Sequence, residues 1–177
     1  YKYLKTYGID GWWEDLGEPE KHPDSMHHII GPANKIHGLY GDQWAAMLMN
    51  GYKRTYPRER LFHMGRAGYA GSQRNGLIPW TGDVGRNWNG FKPQVSMMLS
   101  MGLSGISYMH SDAGGFSVGE ADEELYIRWM QFATFSHVFR PHGDVSIPSE
   151  LALWPENVQE ILIPWVKLRY KLLPYNY

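Results

Sequence analysis

The chain has 177 residues, 43% apolar and 20% charged, which is enough apolar material for one sizeable core and too much for a disordered segment. A net charge of -1 and an isoelectric point near 6.8, with no run of Lys and Arg, give no field that would gather nucleic acid or an anionic membrane. Cysteine is absent, which excludes disulfides and thiolate metal sites but leaves the compartment open, periplasm and export included, and no stretch of about 18 apolar residues predicts a membrane span.

Taken in chain order, short apolar runs bounded by Gly or Pro predict buried strands at residues 7–13, 61–64, 77–80, 105–109 and 136–140. Helical one-face spacing recurs between them. Trp44, Met47, Leu48 and Tyr52 form one such stripe, Val95, Met98, Leu99 and Leu103 a second, and Leu125, Trp129 and Phe132 a third. The closing stripe of Val158, Ile161, Leu162, Trp165, Leu168 and Leu172 is the clearest. Strands alternating with helices predict an α/β fold with a parallel sheet, because a parallel crossover needs a long connection, usually a helix.

In such folds binding loops gather where each strand hands over to its following loop. The sequence places charge there: Glu14 and Asp15 after the first predicted strand, Arg66 after the second, Asp83 after the third, Asp112 after the fourth, and Arg140 with His142 after the fifth. Aromatic residues make up 15% of the chain, including eight Trp. A single Trp is usually core, but flat apolar rings also form the walls on which sugar C–H faces pack.

The stretch GIDGWWEDLGEPE, residues 8–20, sets two tryptophans against five carboxylates. Asp15 follows Trp12 and Trp13, and Asp83 lies in PWTGDVGRNW between two further tryptophans and near Arg86. Burial raises a carboxyl pKa and a nearby cation lowers it, so two such sites can hold one acid protonated and the other ionised at one pH, as glycoside cleavage requires. The plain alternative is that paired loop carboxylates are structural or face solvent. Three other chemistries do not fit the residues. In His110-Ser111-Asp112, neighbours on one strand point to opposite faces and make no triad. His27 and His28 with Asp24 read as a solvated polar loop and not as a metal site. GSQRNG lacks the Lys and helix start of a phosphate loop.

DGWWEDLGEPE, RAGYAGSQR, WTGDVGRNW, HSDAGGF, FRPHG and LRYKLLPYNY together resemble, in order and spacing, the catalytic barrel of glycoside hydrolase family 31 across essentially the whole chain. The resemblance implies a partial (β/α)8 TIM barrel, roughly strands four to eight with their helices. Residues 1–177 would be the C-terminal portion of a catalytic domain, since a full barrel takes about 250 residues and eight strands. The remaining half-barrel and accessory β-domains of the parent chain are the implied protein partners, and the isolated segment is expected to be inactive or to associate through unpaired strand edges. By the same resemblance Asp15 is the nucleophile and Asp83 the general acid/base. Trp13, Arg66, Trp80, Asp112, Phe116 and His142 line the subsite for the non-reducing sugar of an oligosaccharide, and neither metal nor cofactor takes part. Glu18 and Glu20 are expected to hold backbone or Arg partners. The implied activity is retaining cleavage of α-1,4-linked glucosides through a glycosyl-enzyme intermediate, with carboxyls about 5 to 5.5 Å apart. EDLGEPE and the GSQ spacing look more like bacterial α-1,4-transglucosylases than digestive α-glucosidases, while α-xylosidase, α-galactosidase and a non-catalytic sugar-binding remnant are alternatives on the same scaffold.

Overall fold

The computed structural model describes residues 2–177, which fall into two units: residues up to Pro79 with Ser104–Ile106, and Trp80–Leu103 with Ser107–Tyr177. The first unit holds helix α1 (Lys2–Lys5), strand β1 (Gly11–Glu14), a short antiparallel pair of β2 (His27–His28) and β3 (Gly31–Pro32), helices α2 (Ala33–Ile36) and α3 (Tyr40–Thr55), and strands β4 (Phe62–Gly65) and β5 (Leu77–Pro79). Strands β1, β4 and β5 form a parallel sheet in that order, with Gly11 opposite Phe62, Glu14 opposite Gly65 and His63 opposite Leu77. The 16-residue α3 lies in the long connection that a β1-to-β4 parallel crossover demands. Its Asp42 is buried and accepts hydrogen bonds from Ser72 Oγ at 2.8 Å and Asn75 Nδ2 at 3.1 Å, which ties the helix to the turn before β5.

These strands are buried on one face only, where the apolar runs predict full burial. Glu14, His63, Gly65, Leu77 and Pro79 are buried, while Gly11, Trp13 and Phe62, on the alternate positions, are exposed. The period-two geometry of a strand allows this split, and runs such as Gly-Trp-Trp-Glu do not announce which face it favours.

The second unit holds α4 (Trp88–Phe91), α5 (Gln94–Leu103), α6 (Glu123–Ala133) and α7 (Glu156–Asn176). Asn87 caps α4 by accepting from Gly90 N, and Asp122 caps α6 by accepting from Leu125 N, with Glu123 and Glu124 favourably placed in the first turn. The core forms where Leu125, Trp129, Met130 and Ala133 of α6 meet Val158 and Leu162 of α7, and Tyr126 stacks on Trp154 with centroids 4.2 Å apart. Two of the six closing-stripe residues, Val158 and Leu162, are fully buried, whereas Ile161 is exposed and Arg169 sits in the buried line instead.

Two predicted strands do not form. Around residues 105–109 Gly105 adopts φ +85°, which is not extended backbone, and pairing is limited to an isolated parallel bridge between Trp80 and His110. Residues 136–140 fail for a different reason. The Arg169 guanidinium, 8% exposed, donates to the carbonyls of Thr134 at 3.2 Å, His137 at 2.7 Å and Ser136, so those acceptors serve a side chain and not a ladder. A single bridge, Ala113 to Pro141, follows. The predicted stripe on α5 does form a helix, yet Val95, Leu99 and Leu103 remain exposed on it.

Arg169→Met removes the donors that satisfy three carbonyls while keeping most of the side-chain volume. Unpaired buried acceptors cost about 1–3 kcal/mol each at most, so a loss of about 2–4 kcal/mol is expected from urea unfolding midpoints, whereas an unchanged midpoint would show that these carbonyls find other donors.

Candidate active site

In the first unit the end of β1 turns sharply. Leu16 adopts φ +59°, a left-handed conformation that a branched side chain enters only when its surroundings enforce it. What enforces it is visible: Leu16 N donates to Asp15 Oδ1 at 3.0 Å, and the end of β4 supplies Arg66, whose backbone N donates to Glu14 O at 3.1 Å. The Arg66 side chain, only 8% exposed, then faces three carboxylates. Its Nε donates to Glu18 Oε1 at 2.9 Å, its Nη2 donates to Glu20 Oε1 at 2.8 Å, and Asp15 Oδ1 lies 3.4 Å from Nε. Glu18 and Glu20 therefore hold an arginine, as expected, and Asp15 is drawn to the same cation. Gly17 lets this loop lie against α3, since a Cβ there would come within 2.8 Å of the Trp44 ring. Trp13 is half-exposed on the open face of β1.

In the second unit Trp80 and Asp112 are both almost fully buried. They share one partner: the Arg140 guanidinium lies 5.0 Å from the Trp80 ring centroid and donates to Asp112 Oδ1, and its Nε lies 3.3 Å from His110 Nε2. The intervening Ser111 points elsewhere, accepting from Trp129 Nε1 at 2.9 Å, so His110-Ser111-Asp112 is not a triad, in line with strand alternation. Asp83 is exposed, in a loop whose backbone pairs with the segment after Asp112 through Phe116 N to Val84 O at 2.9 Å and Arg86 N to Ser117 O at 2.7 Å. Phe116 and His142 are neighbours, with ring centroids 5.6 Å apart. The site residues proposed from sequence thus gather as two sets: Asp15 and Arg66 with Trp13 close by in the first unit, and Trp80, Asp112, Phe116 and His142 with the Asp83 loop in the second. Arg140 links Trp80 to Asp112, and the sequence marked it merely as a strand-end charge. Its position two residues before His142 was the available signal.

The histidine-rich segment is arranged differently from the sequence reading. His28 Nε2 meets His22 Nε2 at 2.6 Å, and His22 Nδ1 meets His37 Nδ1 at 3.0 Å. Each nitrogen of His22 faces a different ring, which gives a hydrogen-bonded chain and not a chelate. Among the described residues no three His, Asp or Glu side chains converge on a metal position.

The profile of the glycosyl hydrolases family 31 TIM-barrel domain matches residues 1–177. An α-xylosidase from Saccharolobus solfataricus is 33% identical over 192 residues, covering 100% of this chain and 26% of that protein. Alpha-glucosidase 2 from Bacillus thermoamyloliquefaciens is 29% identical over 188 residues, covering 100% of this chain and 24% of that protein. Among solved structures, a family 31 dextranase from Flavobacterium johnsoniae complexed with glucose superposes with a TM-score of 0.89 at 32% identity, covering 97% of this chain and 23% of that one. The chain spans about a quarter of the length of these relatives.

The first unit also holds two buried ionisable groups that form no salt bridge among the described residues. Glu14 and His63 project from the buried face of the sheet, and neither Glu14 Oε1 nor either ring nitrogen of His63 has a hydrogen-bond partner among the described residues. Burial pushes the Glu14 carboxyl up to about 7 and the His63 imidazole down to about 4. Both groups are then neutral across the window between those values. Between pH 4.5 and 7 the folded chain retains a Glu14 proton that the unfolded chain has released, so this group lowers stability as pH rises. His63 acts oppositely, adding stability as pH rises from about 4 to 6.5. Glu14→Gln removes the falling limb. Its stability relative to wild type is expected to climb from pH 4.5 and level off above 7, by on the order of 3 kcal/mol, in urea midpoints measured across pH. Parallel profiles for the two proteins would refute the assignment.

Proposed function

The chain belongs to glycoside hydrolase family 31, and from that membership we propose that the whole protein is a retaining α-glucosidase acting on α-1,4-linked oligosaccharides. Asp15 attacks the anomeric carbon as the bond from that carbon to the leaving oxygen breaks, and Asp83 gives its proton to that oxygen. Asp83 then takes a proton from water, whose oxygen attacks the same carbon and releases Asp15. A sugar hydroxyl in place of water gives transglucosylation by the same step. Trp80, Asp112, Phe116 and His142, with Trp13 and Arg66, bind the non-reducing sugar.

The observation that carries this reading is the cradle around Asp15. A buried arginine and a backbone N–H converge on Oδ1 of an otherwise exposed carboxylate, so the group is oriented without being shut away from a substrate. Glu18 and Glu20 take the two short contacts to Arg66 and leave Asp15 the looser one at 3.4 Å. A nucleophile needs that combination: a fixed direction of attack, with no partner held so tightly that leaving it would add to the barrier. The buried Asp112–Arg140 pair, fronted by Trp80, supplies the mix of fixed polar groups and apolar wall that sugar recognition uses.

A second reading, α-xylosidase, draws on the 33% identity with the Saccharolobus solfataricus enzyme. Relative kcat/KM for aryl α-glucoside and aryl α-xyloside separates the two, because they differ by the hydroxymethyl group on C5 of the sugar.

Treatment of the full-length protein with 5-fluoro-α-glucosyl fluoride is expected to place one glycosyl group on the peptide bearing Asp15, detected by mass spectrometry after digestion. Asp15→Ala is expected to abolish labelling and turnover, and Asp83→Ala to slow maltotriose cleavage by about 10²- to 10⁴-fold. Label on another carboxylate would overturn the assignment. With maltotriose, products confined to glucose and maltose indicate hydrolysis, and longer oligomers indicate transfer.

A further inference from the structure

Arg86 is 6% exposed, and ion pairing does not account for its burial, since the nearest carboxylate oxygen, Asp144 Oδ1, is 3.9 Å away. Its acceptors are backbone carbonyls. Nε donates to Gly115 O at 3.1 Å and Nη2 donates to Phe116 O at 2.9 Å, while Nη1 is buried with no partner among the described residues. Burial pulls the guanidinium below its usual range, and Asp144 only partly offsets this. A cation held at such a disadvantage is retained for what it fixes, and the contacts show what that is.

Three loops meet around this side chain. The first, residues 81–87, carries Asp83 and Arg86 itself. The second, residues 112–119, carries Asp112 and Phe116, and its Phe116 N donates to Val84 O at 2.9 Å. The third, residues 140–144, carries His142 and joins the second through Asp144 N to Phe116 O at 2.9 Å. Glycine supplies the room. A Cβ at Gly119 would lie 2.0 Å from the Arg86 carbonyl oxygen, and one at Gly143 would lie 2.2 Å from Nη2. The side chain is thus clamped between loops with no slack, and each loop is bonded to the next through Phe116.

We propose that Arg86 is a positioning residue that locks the Asp83 loop to the Phe116 and His142 loops, so that the acid carboxyl and the sugar-binding wall of this unit keep one relative geometry. The inference rests on the reading of Asp83 as general acid/base. Removing Arg86 leaves Phe116 N paired with Val84 O and Phe116 O paired with Asp144 N, but takes the donor from Gly115 O and frees the Asp83 loop from its side-chain anchor to the other two. The loss should fall on proton delivery, since the carboxyl that delivers the proton rides on the freed loop.

The test uses the full-length protein with Arg86→Ala, Arg86→Lys and, as reference, Asp83→Ala. kcat/KM is measured for maltose, whose leaving oxygen needs a proton, and for α-glucosyl fluoride, whose fluoride does not. Asp83→Ala should lose activity on maltose by about 10²-fold or more while keeping most of its activity on the fluoride. Arg86→Ala is expected to repeat that pattern at about 10²-fold on maltose and within about threefold on the fluoride, and Arg86→Lys, which keeps the charge but not the fork, to fall between. Thermal melting checks that each variant is folded, and if Arg86→Ala is not, the substrate ratio of Arg86→Lys decides. Equal losses on both substrates, or no loss, in a folded Arg86 variant would overturn the proposal while Asp83→Ala still discriminates. Failure of Asp83→Ala to discriminate, or absence of any turnover by wild type, would instead overturn the assignment of Asp83 and this inference with it.

Discussion

A guanidinium taken out of water must find acceptors in several directions at once, and in an α/β chain the free acceptors lie where strands and helices end. That requirement organises each unit of this protein. Arg66 collects Asp15, Glu18 and Glu20 at the end of β1. Arg140 holds Asp112 and faces Trp80, Arg86 holds the carbonyls of Gly115 and Phe116, and Arg169 those of residues 134, 136 and 137. Each arginine replaces water that would otherwise solvate a loop and gives that loop one conformation. Long loops fixed this way can carry chemistry that loose ones cannot.

The sheet handles Glu14 and His63 by the opposite device. Burial, with no salt bridge to either group among the described residues, makes each neutral, the acid by keeping its proton and the base by losing one. One residue further, just past the end of β1, Asp15 lies beside Arg66 instead. Adjacent carboxyls at a strand end thus meet different surroundings, Glu14 in the core and Asp15 beside a buried arginine.

Helices were legible because their evidence is local. The stripes at Trp44 to Tyr52, Leu125 to Phe132 and Val158 to Leu172 each fall within a helix, since the 3.6-residue period is written in consecutive residues. Three of five strands were legible, two at their centres and the first, predicted over 7–13, only in its last three residues, since Gly8 adopts φ +82° before β1 begins. Residues 136–140 read equally well as a strand, and no local feature could reveal that Arg169, about 30 residues later, would take their carbonyls. One-sided burial of β1 and β4 was equally hidden, because apolar residues occupy both faces of Gly-Trp-Trp-Glu and only packing selects one. At the site, motif order pointed to Asp15, Asp83 and the residues around them, while Arg86 was read as a cation near Asp83 and Arg140 as a strand-end charge, because the carbonyls and rings they reach are not written in the sequence.

The sequence by itself determined the family, the α/β class, the helices and the residue types offered at each strand end, because ordered motifs and short-range periodicity are properties of the linear chain. Only the tertiary structure decided which carboxylates share Arg66, which loops Arg86 ties together, and which ionisable groups are stripped of water. Those outcomes depend on burial and on contacts between residues far apart along the chain, and the free energy of a charge is set by the dielectric and the partners it finally meets.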